Sequence, residues 1–365
     1  MKHEATKISE AFDRFLKLAE QGNPAGQFAL GVMYDKGNCV PQDFTQARMW
    51  YERAERQNFA RARHNLGTLY ALGNGVIKDL NKAFVLYKKA ADQNFVPSQF
   101  QIAVMYHKGS GVKTNIKKAI KWYGKAADQG DVTAQFGLAT LYWTGTEVAK
   151  NNKKALKRFT EAANNKHLES QYYLGCMYEQ GEEGDDYQND STAIYWYEKA
   201  ANRGHIEAQF RLGELYYSGE NSIEQSYKKS FYWYQKAADN GHAEAQWNVG
   251  VFYKKGLQGV EQDDAKALEW FQKAAKQGHE KASIVMKEYN YGKELNKFFE
   301  NIGLFGKTDK QGDDAAKKDA QMTNMRQDAM KQFPSALLRF YDAYRTQKNT
   351  QDENVTNDHK KSSGR

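Results

Sequence analysis

Prolines are scarce in this chain, four in 365 residues, and cysteines scarcer still, at two. Few prolines leave long stretches free to form helix. Two cysteines, Cys39 and Cys176, exclude a disulfide framework of the kind that staples small secreted domains. No apolar run approaches the roughly 18 residues that a membrane span needs. The opening MKHEATKISEAFDRF has one early lysine and no apolar segment, so no secretory signal is expected. The expected compartment is therefore the cytoplasm or, for a translocated effector, the interior of another cell. Also missing are a Gly-rich phosphate loop, a nucleophile elbow and a His-Glu-x-x-His pair. No catalytic residue and no cofactor is expected.

What is present is a repeat. The stretch from His242 to Gly278, HAEAQWNVGVFYKKGLQGVEQDDAKALEWFQKAAKQG, recurs in earlier copies that begin at His205, His167, Asp131, Phe95, Phe59 and Asn23. Self-similarity at this period means stacked supersecondary units, so residues 23–278 read as one array of seven. Each copy holds two helices. The first carries an alanine, an aromatic, an aliphatic, a small residue and a tyrosine at helical spacing, as in Ala208, Phe210, Leu212, Gly213 and Tyr216.

The small slot is Gly31, Gly67, Ala103, Ala139, Gly175, Gly213 and Gly250. Glycine costs about 1 kcal/mol inside a helix, so its recurrence implies that a larger side chain would hold neighbouring helices apart. A second glycine, such as Gly73 or Gly109, ends each first helix where a left-handed residue is wanted. After a loop, the slot Asp43, Asp79, Asn115, Asn151, Asn189, Ser226 and Asp263 holds residues that cap exposed amides and so starts the second helix.

Residues 1–22 match a second helix alone and are expected to cap the array. Residues 279–305 begin like another first helix but lose the small residue, as a closing unit does; Leu295, Phe298, Phe299, Ile302 and Leu304 are expected to seal it. Residues 306–348 read as a linker and two helices, the second with an apolar face of Leu337, Leu338, Phe340, Tyr341 and Tyr344. That face is read as packing on the array, docking a partner or mediating self-association. Residues 349–365 are polar and expected to be disordered.

The composite pattern A-x-F-x-L-G-x-x-Y-x-x-G, loop, D-x-x-K-A-x-x-W-Y-x-K-A-A-x-x-G resembles the Sel1-like repeat, a relative of the tetratricopeptide repeat. The resemblance implies an all-α fold, a right-handed α/α superhelical solenoid of seven repeats between capping helices. It also implies work as a protein-protein scaffold or adaptor, which in bacteria extends to signalling and host interaction. A cysteine-rich branch of the family has a disulfide in each repeat, and its properties do not carry over to a chain with two cysteines.

Two motifs have a chemical reading and a bland one. The histidines His167, His205, His242 and His279 recur at the repeat boundaries. Packed helices lie about 8–10 Å apart, too far for one zinc ion with bonds of about 2.0–2.1 Å, so they are assigned to the first-helix N-termini and no metal is expected. The acidic loop from Gly181 to Asp190 (GEEGDDYQND) lacks the calcium-loop spacing and reads as a solvated insertion. The formal charge of +8 favours acidic partners; with no recognised module, nucleic acid is not expected.

Between the packing slots of each first helix lie three positions on one face that differ from copy to copy. They are Asn65, Thr68 and Ala71; Gln101, Val104 and His107; Gly137, Thr140 and Trp143; Tyr173, Cys176 and Glu179; Arg211, Glu214 and Tyr217; and Asn248, Val251 and Lys254. The resemblance places first helices on the concave side, so this row is expected to line a groove that holds a segment of a partner protein. Tyrosine, tryptophan and arginine are enriched at binding hot spots, so Trp143, Tyr173, Arg211 and Tyr217 are the expected anchors, with His107, Glu214, Asn248 and Lys254 beside them. The alternative from another class is an enzyme or enzyme regulator that takes a small molecule in the groove.

Overall fold

The computed structural model describes residues 2–181, 189–219, 223–257 and 259–301, and within them there are sixteen helices and no strand. In order they are α1 (Lys2–Glu20), α2 (Pro24–Lys36), α3 (Phe44–Arg56), α4 (Ala60–Leu72), α5 (Leu80–Asp92), α6 (Val96–Lys108), α7 (Ile116–Asp128) and α8 (Val132–Thr144). The series continues with α9 (Asn152–Asn164), α10 (Leu168–Gln180), α11 (Asp190–Ala201), α12 (Ile206–Ser218), α13 (Tyr227–Asp239), α14 (Ala243–Lys255), α15 (Asp264–Lys276) and α16 (Glu280–Asn301). The fold is an all-α solenoid of helix pairs. The described residues form two compact units, one running up to Arg211 and taking in Ile223, the other made of the described residues from Leu212 to Gly219 and from Glu224 to Asn301.

The second helices start where the capping slot puts them. Asp43, Asp79, Asn115, Asn151, Asn189, Ser226 and Asp263 each accept a hydrogen bond from a backbone amide two or three residues on. The first helices stop at glycine: Gly73 has φ 84° and donates its amide to Leu69 O, a conformation that costs other residues strain. Gly181 departs from this, with φ 46° and ψ 149°, a positive-φ conformation that suits glycine but lies outside the left-handed helical region. Of the acidic insertion, Glu182, Glu183, Asp185 and Asp186 lie outside the described residues, and Asp190 is the first residue of α11.

Each small slot faces a ring. In the first unit, a Cβ built on Gly31 or Gly175 would come within 2.5 Å of the ring of Tyr51 or Tyr197, and one on Gly67 within 3.0 Å of Tyr87. In the second unit, Gly213 and Gly250 meet Tyr234 and Phe271 in the same way at 2.5 Å. Ring on glycine is therefore the contact that closes these five helix pairs, with Tyr51 and Tyr197 among the largest fully buried side chains.

The tyrosine that ends the first helix is also used. Lys82, Lys118 and Lys154 hold their ammonium groups 4.0, 5.2 and 5.0 Å from the ring centroids of Tyr70, Tyr106 and Tyr142, and in the second unit Lys229 and Lys266 do so at 4.7 and 5.4 Å over Tyr216 and Tyr253. This cation–π contact is the physical content of the lysine in D-x-x-K-A.

Successive repeats are clasped by a glutamine. The Nε2 groups of Gln27, Gln99, Gln135, Gln171 and Gln209 donate to the carbonyls of Ala19, Ala91, Ala127, Ala163 and Ala201 at 2.9–3.5 Å, each reaching a carbonyl at the end of the preceding helix that also accepts a backbone amide three residues on. The glutamine Oε1 atoms are met in turn by the residue that ends the second helix of the same repeat, Gln57 on Gln27 at 2.8 Å and Gln129 on Gln99 at 2.7 Å. Gln135 is the exception. Its Oε1 is buried and unpartnered, and the aligned residue is Asn165, one methylene shorter, which donates to Glu161 O. Asn165→Gln is expected to complete the clasp and raise stability by about 1 kcal/mol, since an unsatisfied buried acceptor costs roughly that much. A chemical denaturation midpoint that does not move would refute it.

At the C-terminal end, α16 runs unbroken from Glu280 through Asn301. Leu295, Phe298, Phe299, Ile302 and Leu304, and the 306–348 and 349–365 segments with the Leu337–Tyr344 face, lie outside the described residues or side chains. No helix of the described residues is long and apolar enough to cross a membrane.

Candidate functional site

The variable row on the first helices is built around the rings just described. A second-helix tyrosine that packs on a glycine brings its hydroxyl out at the edge of the first helix, where a row residue meets it. Asn65 Nδ2 donates to Tyr51 OH at 3.0 Å, and Thr68 Oγ1 lies 2.9 Å from Tyr87 OH. His107 Nδ1 lies 3.4 Å from Tyr123 OH, and Tyr197 OH donates to Glu179 Oε2 at 2.6 Å. Where the ring is Phe159 the row supplies aromatics instead: Trp143 and Tyr173 stand 6.2 and 5.5 Å from it, centroid to centroid. In these copies the row residue packs on the hydroxyl, or on the bare ring, below it.

Burial marks the row and the rings it meets. It pushes the Tyr123 hydroxyl up to about 12, with the Glu147 carboxylate a lesser cause. It also raises the Cys176 thiol, which Tyr197 and Tyr172 bond. A thiol held protonated is a poor nucleophile and a poor metal ligand, so Cys176 is a packing residue. Among the described residues no group of three or more His, Cys, Asp or Glu is placed to hold a metal.

The structure brings some of the expected anchors together. In the first unit, Trp143 and Tyr173 meet edge to face at 5.1 Å and both are half-buried. Arg211 clamps Glu179 through Nε at 2.9 and 3.1 Å to its two oxygens and through a further Nη2 contact. Its own side chain stays 37% exposed while that of Glu179 is at 14%, so the charge presented outward is the arginine. His107 pairs with Glu147 at 2.9 Å. In the second unit, Tyr217 packs against Tyr227 and Phe252 at 5.4 and 5.9 Å, Lys254 pairs with Asp264 at 3.1 Å, and Asn248 and Glu214 are half-buried.

The boundary histidines do what an N-terminal role requires. His167, His205, His242 and His279 each accept a backbone amide at 3.1–3.2 Å through Nδ1. An accepting Nδ1 fixes the proton on Nε2. In His205 and His279 that atom faces Glu169 at 3.3 Å and Glu244 at 2.9 Å, the glutamates one repeat earlier, and the imidazoles stack on Tyr172 and Trp247.

Similarity to known proteins agrees with this geometry. The Sel1 repeat model matches at residues 24–59, 60–95, 96–131, 132–167, 168–205, 206–242 and 243–279. The chain belongs to the Sel1-repeat family. Among solved structures it is similar to c5321, a protective antigen of uropathogenic Escherichia coli strains displaying an SLR fold, at 34% identity and a TM-score of 0.66 over 78% of this chain. It spans 60% of the c5321 chain. A Sel1 repeat protein from Oxalobacter formigenes is similar at 32% identity and a TM-score of 0.61, with 78% of this chain and 81% of that chain covered. Among curated proteins none matches. Sel1-repeat proteins are in general protein-interaction scaffolds, and the fold is typically non-catalytic.

Proposed function

We propose that this protein is a non-catalytic scaffold that holds a segment of a partner protein along the first-helix row of its first unit. Trp143 and Tyr173 are the apolar anchors in this reading, and Arg211, oriented by Glu179, is the polar one. The observation that carries it is the half-exposed aromatic pair between two ion pairs, His107–Glu147 and Arg211–Glu179. A ring fully buried in a repeat has finished its task. A half-exposed pair of large rings rimmed by charge has the composition of a binding hot spot. Docking in a groove lined by the row belongs to the same proposal. So does a host-facing role, which the description of c5321 as a protective antigen supports.

The test is to capture partners on the immobilised chain, identify them by mass spectrometry and titrate the purified partner against Trp143→Ala and Arg211→Ala. Circular dichroism should first show both variants to be as helical as the parent. Each is expected to lose about 2 kcal/mol of binding, roughly thirtyfold in Kd. Unchanged affinity in both variants would move the interface off this row and end the reading.

A further inference from the structure

The chain's charge is concentrated. From Val76 to Lys166 there are sixteen Lys and Arg against six Asp and Glu, an excess greater than the +8 of the whole chain. Much of it lies on the second helices α5, α7 and α9 of the first unit, where Lys82, Lys89, Lys117, Lys118, Lys121, Lys125, Lys153, Lys154 and Lys157 are exposed. The few acids there are already engaged, Asp92 by Lys88 at 2.6 Å and Asp128 and Glu161 by Arg158 at 2.5 and 2.8 Å. Among the described residues Lys117, Lys121 and Lys153 have no ion-pair partner. Unopposed like charge on adjacent helices works against the compact state.

The helix at the centre of this field has a second anomaly. On α7, Lys117, Lys121 and Lys125 recur every four residues, and Gly124 falls between them on the same face. Glycine is the poorest helix former after proline. At Gly175 a ring explains it; at Gly124 an added Cβ would meet nothing within 4 Å. Packing therefore gives no reason for the missing side chain. What the omission leaves is a bare notch of helix backbone between lysines. The surface is also ordered: Lys125 and Lys88 sit 4.3 and 5.2 Å from the ring centroid of Trp122, and Asp128 ties α7 to α9 through Arg158.

We propose that the α7 face centred on Gly124 is a docking surface for an acidic polypeptide segment. Its backbone lies in the notch and its carboxylates meet Lys117, Lys121 and Lys125. Single-stranded nucleic acid is disfavoured because base stacking needs an open aromatic face, and Trp122 is 7% exposed beneath two cations. The arginine of α9, Arg158, is held by two carboxylates and not presented for bidentate phosphate contact. This surface lies on second helices and does not depend on the first-helix row.

The experiment titrates the full chain into a fluorescein-labelled oligo-glutamate peptide and follows anisotropy, with circular dichroism on every variant. The parent is expected to bind, more weakly as salt rises, and Lys121→Glu to abolish binding. The deciding variant is Gly124→Leu, which keeps every charge and is a better helix former; it is expected to weaken binding about tenfold or more by filling the notch. Equal affinity for parent and Gly124→Leu would mean diffuse polycation attraction and overturn the proposal. No binding to the parent would overturn it as well, as would tighter binding of a single-stranded oligonucleotide of equal charge or of phosphatidylserine vesicles.

Discussion

Replacing Gly175 with valine is expected to cost about 3 kcal/mol of stability, the upper part of the range for overpacking a closed core. Its Cβ position is 2.5 Å from two ring carbons of Tyr197, and that ring is buried with its hydroxyl bonded to Glu179, so it has nowhere cheap to move. The alanine series makes the argument quantitative. In an open helix Gly→Ala is stabilising by about 1 kcal/mol, and that gain is the same at every site. At Gly67 the nearest ring carbon of Tyr87 is 3.0 Å away, so Gly67→Ala should come out near neutral. Gly175→Ala should be destabilising despite the gain, and Gly124→Ala, with nothing within 4 Å, should show the gain undiminished. Urea midpoints for the four variants test the order. A Gly175→Val chain as stable as the parent would show that ring-on-glycine contact does not set the spacing of these helix pairs.

Much of this was legible in the sequence because a repeat is its own alignment. Seven copies in register showed where helices start, through the capping slot, and where they end, through the terminal glycine. They also showed which position must be small. What they could not show was which atoms fill the space over that position, since the ring arrives from a helix some twenty residues on. For the same reason the first-helix row looked unconstrained. Thr68, His107 and Glu179 are chemically unlike, and only the hydroxyls of Tyr87, Tyr123 and Tyr197 beneath them reveal that all three answer the same demand. The glutamine clasp is a similar case. Ala-Gln-Phe is plain in the repeat, yet nothing in it says that the amide reaches back eight residues to seal the helix before. The signal available was a polar residue recurring between two apolar ones, which needs a partner if it is buried.

The same logic exposes one position where the repeat carries an acid liability. The aromatic slot of the first helix is Phe28, Phe100 and Phe136 in other copies, but His64 in the second. Its imidazole lies against Tyr87 and Phe95, with Nδ1 2.9 Å from the fully buried Ser98 Oγ. Burial lowers its pKa from 6.5 to about 4. Above pH 6.5 the folded and unfolded chains are both neutral at this site and it adds no pH dependence. Below 6.5 the unfolded chain takes up a proton that the folded chain refuses, so stability falls with pH until the folded imidazole also protonates near 4. The loss accumulated across that window is about 3 kcal/mol, at 1.36 kcal/mol per unit. A His64→Phe, Ser98→Ala double variant puts the pair of residues found one period later at Phe100 and Ala134 into the second and third repeats and removes the titrating group without orphaning the serine. Its denaturation midpoint should therefore fall less between pH 6.5 and 4 than the parent's, by that amount. The other histidines are common to both chains, so their contribution cancels. Parallel pH profiles for the two chains would mean that the imidazole protonates in place without loss.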